Sequence, residues 1–257
     1  MIVIDKLCYN SKLMYVNAGE KFAFALITLC MCIISRSILM AVLVLIVNGI
    51  LTVGKGGIPF FRYWKLLMIP LVFLLLSTLA ILINFSKTPL DAYAIPVGSI
   101  YITSSWHSVY GGLQLIFTAL ASVSCLYFLS LNTPMTDILN ELRKLHVPGL
   151  IIELMLLIYR YIFVLLEVAG NILTSQNSRL GNRDFKTSCK SFGGMVSVLF
   201  VRAMKKSGAL YDAMESRCYD GTIHVLTENY PPKAKEIAGI ACFEILLLIL
   251  TIWSKLR

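Results

Sequence analysis

The feature that most constrains this chain is a succession of long apolar runs separated by short polar stretches. The runs cover residues 22–34, 38–53, 66–85, 109–131 and 237–253. About 20 helical residues cross the hydrocarbon core of a bilayer. Because 58% of the 257 residues are hydrophobic and only 14% are charged, against about 25% charged in soluble domains, a water-soluble globule is excluded. The sequence therefore predicts an all-α, polytopic membrane helical bundle with five or six spans.

The first two runs are each short for a full span, and Ser35-Arg36-Ser37 lies between them. This pattern predicts a tight helical hairpin with Arg36 at its tip, reaching the headgroup region. Residues 54–65 form a basic, glycine-rich loop, which the positive-inside rule assigns to the cytoplasm. Residues 86–108 carry prolines and balanced charge, so we expect a loop on the outer face.

The character of the chain changes after residue 131, where charged residues become frequent and mostly positive. An amphipathic helix is predicted up to Pro148, followed by a long apolar helix over 149–175. An apolar stretch over 192–201 and a polar helix over 202–217 follow. We therefore predict N-terminal transmembrane helices in 1–131, a cytoplasmic helical region in 132–235 and a C-terminal transmembrane helix in 236–257.

Three ionisable residues of the long helix, Glu153, Arg160 and Glu167, are spaced by seven and form one polar stripe. Each would cost about 2.5–3.5 kcal/mol at the centre of a bilayer, so the stripe is expected to face protein or headgroups. Two interpretations stay open. The stripe is a structural ion-pair ladder between helices, or it is an ion relay in a self-contained secondary transporter.

Two predicted helices of the region 132–235 finish alike, with Ser178-Arg179-Leu180 and Ser216-Arg217-Cys218. A glycine follows each triplet, Gly181 and Gly221, and is expected to close the helix with a positive φ. An arginine at a helix C-terminus gains about 0.3–1 kcal/mol from the helix dipole. Its repetition favours docking into an acidic or carbonyl-lined groove of a partner protein. We expect the two arginines at neighbouring helix ends.

Four segments carry a resemblance to a known family: the opening Ile4-Asp5-Lys6-Leu7, the segment 142–148, the run from Glu153 to Glu167, and residues 213–221. They resemble the transmembrane T component of energy-coupling-factor (ECF) transporters of the cobalt/nickel type, the CbiQ-like branch. The resemblance covers nearly the whole chain and is strongest over 133–224.

The resemblance implies long cytoplasmic coupling helices, whose Ala-Arg-Gly-like triplets dock into a pair of ABC-type ATPase subunits. The matching positions here are 178–180 and 216–218, and neither triplet keeps the alanine or the glycine. It further implies that the chain is not an enzyme and binds no cofactor, since the partner subunits use the ATP. The other partners implied are a substrate-binding membrane S component for cobalt or nickel, with or without a small accessory membrane subunit, and the lipid bilayer. The location implied is the prokaryotic plasma membrane.

Several other functions lack their sequence signals. The chain has no G-x-x-x-x-G-K-[ST] nucleotide loop. His107, His146 and His224 are scattered without a second ligand at metal spacing, so no metal site is expected. Basic residues do not interleave with stacking aromatics, so no nucleic acid is expected as a partner. A secondary transporter would show internal repeats, and an intramembrane enzyme would need a convergent polar cluster at one interface.

Overall fold

The structure is a computed structural model that describes residues 3–82, 84–86, 93–97, 100–104, 106–221, 223 and 230–256. Within these ranges the chain is mostly helical, with one small sheet. The helices are α1 (Val3–Tyr9), α2 (Ala18–Ser35), α3 (Ile38–Ile50), α4 (Phe60–Leu82), α5 (Trp106–Asn132), α6 (Met135–Lys144), α7 (Gly149–Ser178), α8 (Phe185–Glu215) and α9 (Ala234–Leu256). The strands are β1 (Asn84–Ser86), β2 (Tyr93–Val97) and β3 (Ile100–Ser104). A 3₁₀-helix (Lys12–Tyr15) follows α1, and a π-helix (Leu51–Lys55) continues α3.

Six helical segments of the described ranges are long and apolar enough to cross a membrane. They are Ala18–Ser35, Ile38–Lys55, Phe60–Leu79, Ser108–Asn132, Gly149–Ser178 and Ala234–Trp253. The predicted all-α polytopic architecture is therefore confirmed, and the chain is a multi-pass membrane protein. One of the six is the long helix α7, although the charge pattern of 132–235 predicts a cytoplasmic region there.

The chain packs as two compact units, which are described separately below. The bundle unit comprises Ile2–Ile138 together with Glu228–Arg257, and the hairpin unit comprises Leu139–Thr227. The predicted division at residues 131/132 and 235/236 stays a prediction, because packing alone does not locate the membrane.

In the bundle unit, α2 and α3 form the predicted helical hairpin. The side-chain oxygen of Asn17 accepts hydrogen bonds from the backbone N–H groups of Gly19 and Glu20, at 2.9 and 3.3 Å, and so caps the start of α2. Arg36 follows the last residue of α2 with a φ of 46°. This left-handed residue turns the chain into α3, so Arg36 lies at the tip of the hairpin as predicted.

One core cluster of the bundle unit lies between α2, α3, α5 and α9, where small buried side chains pack beside larger ones such as Met40 and Leu247. Ala41 and Ala121 have no exposed surface, and Cys125 is 1% exposed. Small side chains let helix backbones approach closely, which is how helices associate in a membrane. The cluster contains Cys32, Met40, Ala41, Val44, Ala121, Cys125 and Leu247.

A buried polar network joins the loops at one end of this bundle. The ammonium of Lys21 donates to the backbone oxygens of Leu13 and Asn132, both at 2.9 Å. The hydroxyl of Ser11 donates to the side-chain oxygen of Asn132 at 2.7 Å. A Cβ on Gly56 would lie 2.6 Å from that same oxygen, so only glycine fits there. We call this region, formed by Ser11, Lys21, Gly56 and Asn132, the polar end of the bundle.

The loop predicted over 86–108 is wrong in the part that the structure describes. Three strands pair antiparallel in the order β1-β3-β2, with Phe85 and Ile95 both opposite Ile102. Tyrosine, isoleucine, valine and threonine are frequent in β2 and β3, and these residues favour strands. Pro96 is compatible with this sheet because β2 is an edge strand.

Candidate docking site

Two long helices, α7 and α8, carry the candidate site in the hairpin unit. α7 has 30 residues and α8 has 31, so each is about 45 Å long. The prediction of two separate segments over 192–201 and 202–217 is wrong, because α8 is continuous through both. Arg202, Lys205 and Lys206 are good helix formers, so the helix that begins at Phe185 continues through the apolar stretch and the basic residues after it.

Helix α7 ends in a Schellman motif that has Arg179 as the last residue before the reversal. Leu180 is left-handed, with a φ of 56°. The N–H of Gly181 donates to Gln176 O at 2.8 Å, and the N–H of Leu180 donates to Asn177 O at 3.1 Å. These are the two hydrogen bonds that define the motif.

Helix α8 ends in the same motif, with Arg217 in the equivalent position. Cys218 is left-handed, with a φ of 57°. The N–H of Tyr219 donates to Met214 O at 3.1 Å, and the N–H of Cys218 donates to Glu215 O at 2.9 Å. The two arginines therefore sit at matching points of two matching helix ends.

The two glycines do not supply the left-handed residue that ends each helix. Gly181 lacks a positive φ, and Gly221 has a φ of 91° but lies three residues beyond Cys218. The left-handed conformation falls on Leu180 and Cys218, because the hydrogen-bond pattern fixes its position along the chain. For a residue other than glycine it costs about 1–2 kcal/mol.

Glycine is needed at position 181 because neighbouring atoms leave no space for a side chain, and not because of its φ. A Cβ at this residue would lie 2.9 Å from Gln176 O and 3.0 Å from the hydroxyl oxygen of Ser191. That hydroxyl donates to Gly181 O at 2.7 Å, and the side-chain amide of Gln176 donates to Ser191 O at 2.8 Å. The turn from α7 to α8 is thus fixed by contacts at both helix ends.

The far end of α8 is tied back to the beginning of α7 by Glu153. This side chain is only 6% exposed. Its Oε2 accepts a hydrogen bond from the hydroxyl of Tyr219 at 2.7 Å, and its Oε1 accepts one from the backbone N–H of Ile223 at 3.1 Å. The segment that follows Arg217 is therefore held by a buried carboxylate.

These contacts place the two arginines at opposite ends of an antiparallel helix pair. Arg179 lies where α7 turns into α8, whereas Tyr219, just after Arg217, contacts Glu153 in the second turn of α7. The stretch from Glu153 to Arg179 spans about 40 Å at a rise of about 1.5 Å per residue. The expectation of neighbouring helix ends is wrong, because consecutive antiparallel helices have their C-termini at opposite ends.

All six residues of the triplets, 178–180 and 216–218, are exposed. Within the described part of the chain, no salt bridge involves Arg179 or Arg217. A guanidinium presents five N–H donors in a planar fork that matches carboxylates and carbonyl oxygens. Each helix end thus offers a fixed backbone and a free cationic donor to a partner surface.

The predicted stripe does not act as one group. Glu153 is buried and hydrogen-bonded, whereas Arg160 and Glu167 are exposed. No salt bridge among the described residues joins these three side chains, so the structure contains no ion-pair ladder between them. Tyr219 and Ile223, the partners of Glu153, are not predicted from the sequence. They lie 66 and 70 residues away along the chain, and no local pattern signals such a contact.

The two histidines that the structure describes lie in different elements. His146 has a φ of 62° just after α6, His107 belongs to α5, and His224 lies outside the described residues. In the part of the chain that the structure describes, no three His, Cys, Asp or Glu side chains come together in a way that would hold a metal ion.

Comparison with known proteins gives a consistent family. The family model of CbiQ, described as cobalt transport protein, matches residues 10–228. An uncharacterized protein of Methanocaldococcus jannaschii is 34% identical over 253 residues, covering 98% of this chain and 94% of that protein. The cobalt transport protein CbiQ of Salmonella typhimurium is 25% identical over 226 residues, covering 88% of this chain and all of that protein.

A third relative carries the name of the ECF class. The energy-coupling factor transporter transmembrane protein EcfT of Ruminiclostridium cellulolyticum is 31% identical over 117 residues, covering 42% of this chain and 43% of that protein. Helix α9 lies beyond the range matched by the family model, but the alignment with the Methanocaldococcus jannaschii protein covers 98% of the chain.

Proposed function

Because the chain belongs to the CbiQ family of cobalt transport proteins, and is a membrane component of transport, we propose that it couples partner ATPases to a substrate-binding membrane subunit in an ECF-type importer of cobalt or nickel. The observation that carries this proposal is the repetition of Arg179 and Arg217 at equivalent positions of two exposed Schellman motifs. The helix dipole alone would explain a single arginine at a helix end, so it is the repetition that favours docking.

The distance between the two arginines determines how many ATPase grooves they would enter. At about 40 Å apart along α7, they cannot enter one groove together. They suit two grooves, one on each subunit of an ATPase pair. When ATP draws the two subunits together, both ends of the helix pair receive a force. Rigid helices carry such a displacement to another interface as a rigid-body motion.

Glu153 would hold the C-terminal end of α8, which carries Arg217, in place against α7 when the ATPases move. Its two hydrogen bonds hold the segment after Arg217 against α7, so a push on Arg217 moves α7 as well. Hydrogen bonds to a charged group are worth about 1.5–3 kcal/mol each. The turn around Gly181 would do the same at the other end.

In this proposal the hairpin unit lies on the cytoplasmic face, in keeping with its predicted excess of Lys and Arg. The chain would hydrolyse no ATP and hold no cofactor, and the cobalt or nickel ion would be bound by the S component as substrate. Recognition of the metal would therefore lie outside this chain.

The proposal is tested by reversing the charge of the arginines in the assembled complex. Arg179→Glu and Arg217→Glu should each weaken binding of the ATPases at least about tenfold, and the double variant should abolish co-purification. Arg183→Glu is the matched control, because Arg183 is exposed in the same turn and is paired with Asp184 at 3.4 Å. A double variant that still gives a full complex with the normal ATPase rate would refute the docking assignment.

One observation favours a second candidate function. α7 is long and apolar enough to be a membrane span, as a self-contained secondary transporter would require. The exposed positions of Arg160 and Glu167 give no continuous relay with Glu153. Transport by the purified chain reconstituted alone would support this second function and contradict the coupling proposal.

A further inference from the structure

The bundle unit contains a cavity of about 400 Å³ near its polar end. It lies between α2, the π-helix that continues α3, α5 and α9. This volume falls in the range of small-molecule sites, about 300–1,000 Å³. Phe24, Phe128 and Phe243 form much of its apolar wall, and Gly239 leaves one side open.

The lining changes from charged to apolar with depth. Glu20 lies in the first turn of α2, Lys55 ends the π-helix, and Lys235 and Glu236 lie in the first turn of α9. The aromatic side chains that line the cavity come from positions further into the spans. A ligand that matches this arrangement has a charged group at the level of the headgroups and an apolar body at the level of the acyl chains.

Glu20 points to a ligand more directly. Both of its carboxylate oxygens are shielded from solvent and make no close hydrogen bond within the described residues, although the backbone of Lys233 approaches this carboxylate as a donor. A carboxylate shielded from solvent is costly unless enough donors reach its oxygens. The neighbouring Lys21 does not relieve it, because its ammonium donates to Leu13 O and Asn132 O.

We propose that this cavity binds a phospholipid whose headgroup carries a primary ammonium. The ammonium donates to Glu20, the phosphate lies near Lys55 and Lys235, and one acyl chain occupies the aromatic-lined interior. Because the lining carries lysines as well as carboxylates, a zwitterionic headgroup matches it better than a purely cationic or anionic one. This inference does not depend on the coupling proposal.

A bound lipid would also stabilise the packing of α9 against α2, because the cavity lies between these helices. The aromatic rings of Phe24 and Phe243 approach each other there, with centroids 5.8 Å apart. A ligand that binds only the folded bundle raises its stability by mass action. Thermal stability in the presence of different lipids therefore reports occupancy.

The test is native mass spectrometry of the full chain, titrated with phosphatidylethanolamine or phosphatidylglycerol of the same acyl chains. One phosphatidylethanolamine should bind about tenfold more tightly than phosphatidylglycerol, as expected for one charge-assisted hydrogen bond, and should raise the melting temperature more. Glu20→Gln should remove this preference. Glu141→Gln, a carboxylate outside the cavity, should keep it.

Gly239→Leu provides a second test that keeps the headgroup site intact. Nothing lies within 4 Å of a Cβ at this residue, so the new side chain enters the cavity without a backbone clash and should exclude the acyl chain. Gly111→Leu in α5, which also has open space, is the matched control and should bind normally.

Equal binding of the two lipids by the wild-type chain would overturn the proposal. Unchanged selectivity in Glu20→Gln, or unchanged phosphatidylethanolamine binding in Gly239→Leu, would overturn it as well. If a cross-linker placed at residue 239 in the assembled complex captures a partner polypeptide in place of lipid, the cavity is a protein-binding site and the lipid assignment is wrong.

Discussion

The hydroxyl of Tyr219 donates a 2.7 Å hydrogen bond to Oε2 of Glu153, joining the segment after α8 to the second turn of α7. This contact turns two long helices into a closed pair, since the turn at Gly181 joins them at the other end. It also fixes where Arg217 lies relative to Arg179. In the coupling proposal the contact is a positioning element, because neither side chain would touch the ATPases.

Removing this contact is expected to affect one arginine more than the other. Tyr219→Phe deletes the donor and leaves the aromatic ring, so the segment after Arg217 should loosen. We expect Tyr219→Phe to weaken ATPase binding. Adding Arg217→Glu to this variant should weaken binding little further, whereas adding Arg179→Glu should weaken it by as much as in the wild type. The measurement is ATPase affinity in a double-mutant cycle. Tyr211→Phe, at an exposed tyrosine of α8, should change nothing. Additive effects of Tyr219→Phe and Arg217→Glu would contradict the positioning role.

The same contact should respond to alkaline pH. Its hydrogen bond to Glu153 raises the pKa of Tyr219 above the ordinary value. Neutral Tyr219 is the donor, so the contact is fully present below the ordinary tyrosine pKa of about 10 and is lost as pH rises through the raised value. Subtracting the tyrosinate absorbance of Tyr219→Phe from that of the wild type isolates the ionisation of Tyr219. This difference should rise at a higher pH than the absorbance of free tyrosine. A difference curve that titrates at or before free tyrosine would contradict this.

The left-handed residues Leu180 and Cys218 offer a route to greater stability. Replacing each by glycine relieves a strain of about 1–2 kcal/mol but adds freedom to the unfolded chain, so we expect a net gain of about 0.5–1 kcal/mol each. The measurement is chemical denaturation of the hairpin unit within the full chain. Cys189→Gly, the same replacement inside α8, should instead destabilise by about 0.5–1 kcal/mol. Equal destabilisation by both cysteine replacements would contradict the assigned conformations.

Gly181 and Gly193 should respond oppositely to alanine. A methyl group at Gly181 would overlap Gln176 O and the Ser191 hydroxyl, so Gly181→Ala should cost about 1–3 kcal/mol and open the turn. Gly193 lies inside α8 with open space around it, and Gly193→Ala should stabilise by up to about 1 kcal/mol. Thermal unfolding of the two variants measures both. A neutral Gly181→Ala would show that the turn is not closely packed.

Much of the fold follows from the sequence, because long apolar runs have few structural solutions in a membrane. The hairpin around Arg36 and the last span, α9, are examples. The sequence does not predict the sheet over β1–β3, because its prolines and glycines indicate a loop while its β-branched and aromatic residues favour strands. The continuity of α8 is hidden in the sequence, because its change from apolar to basic residues resembles the boundary between two segments.

The candidate site was predictable only in part. The arginines were found because the triplets repeat, but their distance from each other depends on the antiparallel course of α7 and α8. Partners of Glu153 lie on a distant segment, and long-range pairing leaves no periodic signal. Residue type predicts the positive φ at Gly181, whereas the hydrogen-bond pattern of the helix end places it on Leu180.

The most direct test of the central claim is the membrane side on which the two arginine-bearing ends lie. Ser178→Cys and the native Cys218 mark these ends, in a chain whose other exposed cysteines, Cys30, Cys189 and Cys242, are replaced by alanine. Both sites should react with a membrane-impermeant thiol reagent from the cytoplasmic side of sealed vesicles, and the ATPases should protect both. If one site reacts from the cytoplasm and the other from outside, α7 crosses the membrane and the coupling account is wrong.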